Sequence, residues 1–268
     1  MNRLNRSLYL LPVALLAIAC GRAEGHGPRD DQKVTIARQW SAANIRDLHV
    51  FEVDGSVSID AAQTNEITLI ATAIGDFEID KKKENDGLFA TALEGNTLRI
   101  GRRERHHKGF FNFDFSFGRS HRRIDYVLHV PRTVSLDLST VNGRIATRGV
   151  DGAIEAATVN GGIGIETAGT QELRASTVNG RVRAKFLQSF QGARFKTVNG
   201  GVEAILPQNA SFNVDLSQVN GDFEASFPLS IHSNPGSRRV SGEVNGGQHA
   251  LKITTVNGDV QLARLNEK

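Results

Sequence analysis

The chain has 268 residues with 39% hydrophobic and 23% charged positions, enough apolar content for one sizeable packed domain. Its one cysteine, Cys20, excludes an internal disulfide and leaves no thiolate set for a metal. The net charge of +3 is local in origin: residues 102–123 hold seven Arg or Lys against two acids, and the rest of the chain is close to neutral or acidic.

The first nineteen residues read as a targeting segment. Arg3 and Arg6 precede an apolar run, Leu8–Ala19, that is too short for a permanent membrane span. The run ends in Leu16-Ala17-Ile18-Ala19-Cys20, which resembles a bacterial lipoprotein signal with Cys20 as the acylated residue. That resemblance implies a lipid anchor, and Gly21 in place of Asp after the cysteine implies the outer membrane. Residues 20–32 are polar and glycine-rich and form a flexible tether. The remaining residues, 33–268, are expected to form a single domain.

In the first half of that domain, Phe51-x-Val53-Asp54-Gly55-x-Val57-x-Ile59 alternates apolar and other residues, as do Ile67-x-Leu69-x-Ala71, Leu98-x-Ile100 and Tyr126-x-Leu128-x-Val130. Period two is the strand signature. Between the last two lies RRERHHKGFFNFDFSFGRSHRR, residues 102–123. Phe110, Phe111, Phe113, Phe115 and Phe117 sit between basic clusters formed by Arg102, Arg103 and Arg105 on one side and Arg119, Arg122 and Arg123 on the other. As a strand, Phe111 to Phe117 puts four rings on one face. Two readings remain open: a cap over one end of the fold, or an exposed partner-binding loop suited to anionic lipid, an acidic envelope glycan or a protein. Nucleic acid would suit the charge but not an exported chain. His106, His107 and His121 are poor metal candidates because so many cations surround them, and neither a metal nor a cofactor is expected.

From residue 134 to 263 the chain repeats. Val-Asn-Gly starts at residues 141, 159, 178, 198, 219, 244 and 256, at intervals of 18, 19, 20, 21, 25 and 12. A period near 20 marks an architecture whose units cover one another's apolar faces. Each pair is flanked by period-two arms, such as Leu136-x-Leu138-x-Thr140 before it and Ile145-x-Thr147 after it. The arms are out of phase, so no continuous strand keeps one face inward across Asn-Gly, and each pair must be a corner or turn. Gly, and to a lesser extent Asn, tolerates the positive φ that many turns require.

Two architectures satisfy this switch. One is an antiparallel meander with Asn-Gly hairpins. The other, which the recurrence favours, is a parallel β-solenoid of about 20 residues per coil, with room for three short strands and three corners. Only stacking asks for the same side chains in every unit. Asn142, Asn160, Asn179, Asn199, Asn220, Asn245 and Asn257 then form a structural turn ladder, and crossover chirality gives a right-handed coil. The interval of 25 predicts an outward loop over residues 230–239.

Val130-Pro131 followed by Leu136-x-Leu138-x-Thr140-x-Asn142-Gly143-x-Ile145, and the ending Leu251-x-Ile253-x-Thr255-x-Asn257-Gly258-x-Val260, resemble the bacterial DUF4097 adhesin-type domain. The resemblance spans about residues 45–263. It implies a secreted or anchored β-solenoid without established catalytic residues; residues 102–123 depart from its pattern. The function expected is therefore a non-enzymatic, lipid-anchored envelope protein offering a rigid surface for adhesion or partner binding. The alternatives are a polysaccharide-active enzyme using acids such as Glu203, Asp222 and Glu224, or a self-assembling structural protein. No Gly-x-Ser-x-Gly, P-loop or zinc signature is present.

Overall fold

The computed structural model describes residues 32–102, 122–232 and 239–265. Apart from one 3-10 turn at Glu84–Gly87, the regular elements of the described chain are all strands. The first seven are β1 (Gln32–Ser41), β2 (Asp47–Asp54), β3 (Val57–Ala62), β4 (Glu66–Gly75), β5 (Ala90–Glu94), β6 (Thr97–Gly101) and β7 (Arg122–Pro131). The repeats supply β8 (Ser135–Asn142), β9 (Ile145–Val150), β10 (Ile154–Asn160), β11 (Ile163–Thr167), β12 (Leu173–Asn179), β13 (Val182–Phe186), β14 (Ala193–Lys196) and β15 (Val202–Leu206). They continue with β16 (Phe212–Asn220), β17 (Phe223–Ala225), β18 (Ser230–His232), β19 (Arg239–Val244), β20 (His249–Asn257) and β21 (Val260–Arg264).

These strands form two sheets. One has the order β1-β4-β7-β3-β9-β11-β13-β15-β21-β17 and the other β18-β19-β16-β20-β14-β12-β10-β8-β2-β6-β5. Every Asn-Gly but Asn245-Gly246 joins a strand of the second sheet to one of the first, as at β8 to β9 and β10 to β11. Equivalent strands of neighbouring coils pair in parallel, with Ile154 opposite both Leu136 and Leu173, and Asn160 opposite both Asn142 and Asn179. The fold is thus the parallel solenoid, and the hairpin alternative fails at every repeat. Each coil holds two strands where three were expected. Two arms of three to nine residues, with their connections, use up a repeat and leave too little chain for a third side.

The core lies between the two sheets. Leu136, Leu138, Ile145, Ile154, Ala156, Ile163 and Ile165 all point inward and are buried. Size alternates between layers, as where the buried Phe195 belongs to a coil that follows Ala175 and Ala184. At the edge away from the corners, Phe190 meets Phe186 and Phe212 edge to face at 5.0 and 5.7 Å, and Phe212 meets Phe227 at 5.3 Å. Such pairs add roughly 0.5–1.5 kcal/mol each beyond their buried area.

The stacking order is not the chain order. The last unit, β20 and β21, is inserted between β14/β15 and β16/β17. At the other end β6 and β7 lie outside β2 and β3. Antiparallel strands finish both ends: β4 and β1 on β7, β5 on β6, and β19 with β18 on β16. The interval of 25 therefore contains an end strand, β19, as well as a connection. The basic Phe-rich segment falls largely outside the described residues, so neither of its two readings is decided by these end strands.

The corner glycines are required by close approach more than by positive φ. A Cβ on Gly143, Gly161, Gly180 or Gly200 would lie 1.7–1.9 Å from a carbonyl oxygen of the preceding coil, yet none of these four glycines has positive φ. Gly161→Ala is expected to destabilise the domain by about 3 kcal/mol or more, because backbone must move to admit the methyl. Gly164→Ala, on an open strand position whose new Cβ would meet only an Arg144 nitrogen at 3.7 Å, should be neutral or slightly stabilising. Urea denaturation of the two variants checks the contrast; equal midpoints would remove close approach as the reason for these glycines.

The corner column and its interruption as a candidate functional site

Three hydrogen-bond columns run through the corners. The side-chain amides form the first: Asn220 donates to Asn257, Asn257 to Asn199, Asn199 to Asn179, Asn179 to Asn160, Asn160 to Asn142 and Asn142 to Asp54, all at 2.8–2.9 Å. In the second, the corner glycine N–H donates to the Asn carbonyl of the next coil, as from Gly143 to Asn160 and Gly161 to Asn179, both at 3.0 Å. In the third, the buried Thr hydroxyl of each unit donates to the glycine carbonyl of the coil before it: Thr140 to Gly55, Thr158 to Gly143, Thr177 to Gly161, Thr197 to Gly180 and Thr255 to Gly200. Gln218 takes the Thr position in the outermost coil and reaches Gly258 at 2.9 Å.

Six of the seven predicted ladder residues are brought together in this way. Asn245 is the exception. It lies in the turn between β19 and β20 with φ of 50°, and its amide donates to the Ala210 carbonyl. Its Val-Asn-Gly follows an antiparallel end strand, so no coil exists there for it to turn. The valine beside each corner Asn forms a parallel outward column. It is buried at Val53 and Val141 and exposed at Val198, Val256 and Val219.

At its other end the column changes chemistry. The unit Glu52-Val53-Asp54-Gly55 places Glu52 where the repeats have Thr, with Glu52 opposite Thr140 and Asp54 opposite Asn142. Asp54 suits the end of the ladder because it accepts from Asn142 and has no amide to pass on. One coil further out, Gly101 stands opposite Phe51, and a Cβ there would lie 1.8 Å from the Phe51 carbonyl oxygen. Arg102 follows and donates its backbone N–H to the same oxygen at 3.1 Å. The connection between β6 and β7 thus begins where a corner would otherwise stand.

Glu52 is fully buried there. It accepts from the Arg102 Nε at 2.8 Å, the Tyr126 hydroxyl at 2.8 Å and the Val53 N–H at 2.9 Å. Burial pushes its carboxyl above the ordinary glutamate range, against the pull of these partners. Burial, with the Glu52 charge beside it, also pushes the Tyr126 hydroxyl up. Arg122 is lowered by burial and by Arg102, and its Nε is buried with no hydrogen-bond partner. Arg123 is exposed and grips Asp125, whose carboxylate also accepts from Ser56.

Of the residues expected to bind a partner, Arg102 is turned into the fold against Glu52, and Arg122 is half-buried. The reason is the buried carboxylate, which needs a cation beside it. Arg103, Arg105, Phe110, Phe111, Phe113, Phe115, Phe117, Arg119 and Cys20 lie outside the described residues, as do His106, His107 and His121. Sequence reasoning missed Glu52 and Tyr126; the signal was the alignment of Glu-Val-Asp-Gly on Thr-Val-Asn-Gly. Among the described residues no three His, Cys, Asp or Glu side chains gather as a metal set. Glu203 and Glu224 share an outer row, but Gln261 of the inserted coil separates them, and Glu203 pairs with Arg183 at 3.3 Å.

Comparison with protein families finds that residues 152–263 match the Toastrack DUF4097 model. This region is a DUF4097 domain. Comparison with curated proteins gives no match. Among solved structures, the chain is similar to a putative cell adhesion protein from Clostridium sporogenes, at 10% identity and a TM-score of 0.44 over 87% of this chain and 100% of the other. It is also similar to a putative adhesin from Bacteroides fragilis (9%, TM-score 0.31, 85% and 96%) and to a putative lipid binding protein from Parabacteroides distasonis (14%, TM-score 0.40, 85% and 96%). The Toastrack match takes in the ladder from Asn160 to Asn257. The coils that carry Glu52, Arg102 and Asn142 lie ahead of it, although they continue the same stack.

Within the Toastrack ladder, Asn160 both donates and accepts, whereas Asn220 at the end donates only. Asn160→Ala is expected to cost about 1–2 kcal/mol and Asn220→Ala about half as much, read by urea denaturation. Equal losses would mean that the ladder bonds do not stabilise the stack. The buried Glu52 gives a pH signature. Its native pKa lies above the unfolded value, so in that window the native state binds more protons and stability falls as pH rises. Glu52→Gln should flatten this fall, and a variant with the wild-type slope would show that Glu52 does not titrate there.

Proposed function

We propose that the protein is a non-enzymatic, lipid-anchored envelope protein whose solenoid holds a partner-binding segment at a fixed place. The observation that carries this reading is the interruption of the corner column. Every other parallel coil closes with a short corner, while the coil of β6 and β7 opens there into the basic, Phe-rich stretch. Its two ends are fastened by the buried Glu52, Arg102 and Tyr126 group.

Position supports the same reading. The strand that follows the tether, β1, and the strands that flank the segment, β6 and β7, belong to the same end of the stack. An acyl chain on Cys20 would keep that end near a membrane, where Lys and Arg gain about 1 kcal/mol each from anionic headgroups. The segment is thus assigned to an anionic lipid, an acidic envelope glycan or a protein partner, and catalysis is assigned to no residue.

Two measurements test this. The wild-type chain is expected to take up labelled fatty acid and Cys20→Ser to take up none; no label on the wild type, or equal label on both, would overturn the anchor. Replacing residues 103–121 with a short Gly-Ser linker keeps Arg102 and Arg122 and is expected to reduce binding to envelope fractions by at least about tenfold. A variant that folds normally and binds as the wild type does would overturn the segment's role.

A further inference from the structure

The outer face of the first sheet carries a second feature, built from other residues. Side chains that point outward on neighbouring strands line up in rows across the sheet. One row reads Ile70, Val127, Ser58, Ala146, Gly164 from β4 to β11. It is a trough of small and apolar residues about 4.8 Å apart along the stack. At one end, Ile70 and Val127 are 46% and 39% exposed, the two most exposed large apolar side chains of that part of the sheet. At the other, Ala146 and Gly164 floor a cleft walled by Arg144, Arg148, Arg183 and Lys185, with Asp60 and Glu166 as its two acids.

The cations there outnumber their partners. On β9, β11, β13 and the corners that lead into them stand Arg144, Arg148, Arg181, Arg183 and Lys185, with Glu166 as the one acid. Lys185 pairs with Glu166 at 3.3 Å, Arg183 with Glu203 at 3.3 Å, and Arg148 with Asp60 at 3.6 Å. Arg144 and Arg181 are exposed and have no carboxylate partner among the described residues. The Arg144 guanidinium lies over Gly164, its Nη2 3.7 Å from where a Cβ on that residue would stand.

We propose that this trough is a docking surface for a membrane of anionic phospholipid, with a headgroup phosphate in the arginine cleft and Ile70 and Val127 against the interface. A guanidinium fork matches phosphate oxygens two at a time. The adjoining exposed apolar pair favours a lipid over a soluble anion. The cleft has no aromatic ring among its lining residues to stack on a sugar, which favours lipid over glycan. The apolar end of the row lies at the β1 end of the sheet. The inference needs neither the acyl anchor nor residues 103–121, and its test separates them.

The full chain carrying Cys20→Ser is sedimented with vesicles of phosphatidylglycerol or of phosphatidylcholine. Preference for phosphatidylglycerol is expected. Adding Arg144→Glu and Arg181→Glu, which reverses two exposed charges, should lower that partition by about tenfold or more. Val127→Ser with Ile70→Ser should lower it several-fold. Arg194→Glu with Lys252→Glu, an equal charge change on the opposite sheet, should leave it nearly unchanged, as should replacement of residues 103–121. Four results overturn the proposal: no preference between the vesicles, full partition by the Arg144 and Arg181 variant, an equal loss in the Arg194 and Lys252 variant, or displacement from vesicles by inorganic phosphate that binds the Val127 and Ile70 variant equally well. The first two remove the lipid site, the third reduces it to unspecific charge, and the fourth makes it a site for a soluble anion.

Discussion

Everything in this molecule depends on how closely one corner lies on the next. At each Asn-Gly corner of the stack, Asn245-Gly246 being outside it, the backbone of one coil presses against the glycine carbonyl of its neighbour so tightly that a single methyl does not fit. That contact sets the register of both sheets at once, because the strands on either side of the corner belong to different sheets. A one-residue slip would put a side chain into the glycine column and turn every inward residue outward. Asn and Thr follow from the same geometry. Neighbouring coils bring like residues to hydrogen-bonding distance, and a side chain that both donates and accepts is the one that can repeat without end.

A ladder of identical units also explains why chain order and stacking order part company. The corner of β20 and β21 offers the same Asn, Gly and Thr groups as any other, so it fits between β14/β15 and β16/β17 without a special interface. The intervals of 25 and 12 hinted at irregularity, but the interchangeability of the units hides from the sequence which one sits beside which. Asn245 shows the same limit from the other side. Its tripeptide matches the repeat, yet the strand before it is antiparallel, and pairing direction is decided by tertiary contacts rather than by the tripeptide.

Much of the fold was nonetheless readable. The change of phase between Thr140 and Ile145 required a corner, and the recurrence of the same residues required stacking; the structure has both. The number of strands per coil was not readable, since period two says that a segment is extended but not how the sheet around it turns. The glycines were read for their tolerance of positive φ, whereas most of the corner glycines are there to make room. Of the site, the basic Phe-rich stretch stood out by composition. Glu52 did not, because a glutamate in a strand is usually solvated, and only the buried position of its Thr counterparts shows otherwise.

Glu52 also shows what happens where the stack stops. The group that reaches its position from the next coil out is the Arg102 side chain. A carboxylate can use what is there: the guanidinium of Arg102, the hydroxyl of Tyr126 and the Val53 N–H. A buried ion pair of this kind adds little net stability, since the cost of desolvating both charges offsets most of their attraction. It is strongly specific, however, because loss of either partner strands a charge in the core. The pair therefore does for the last corner what the Asn and Thr columns do for the others. It fixes the end of β6 against β2 and β7, so that the connection between β6 and β7 starts and ends at defined positions although no further coil lies outside.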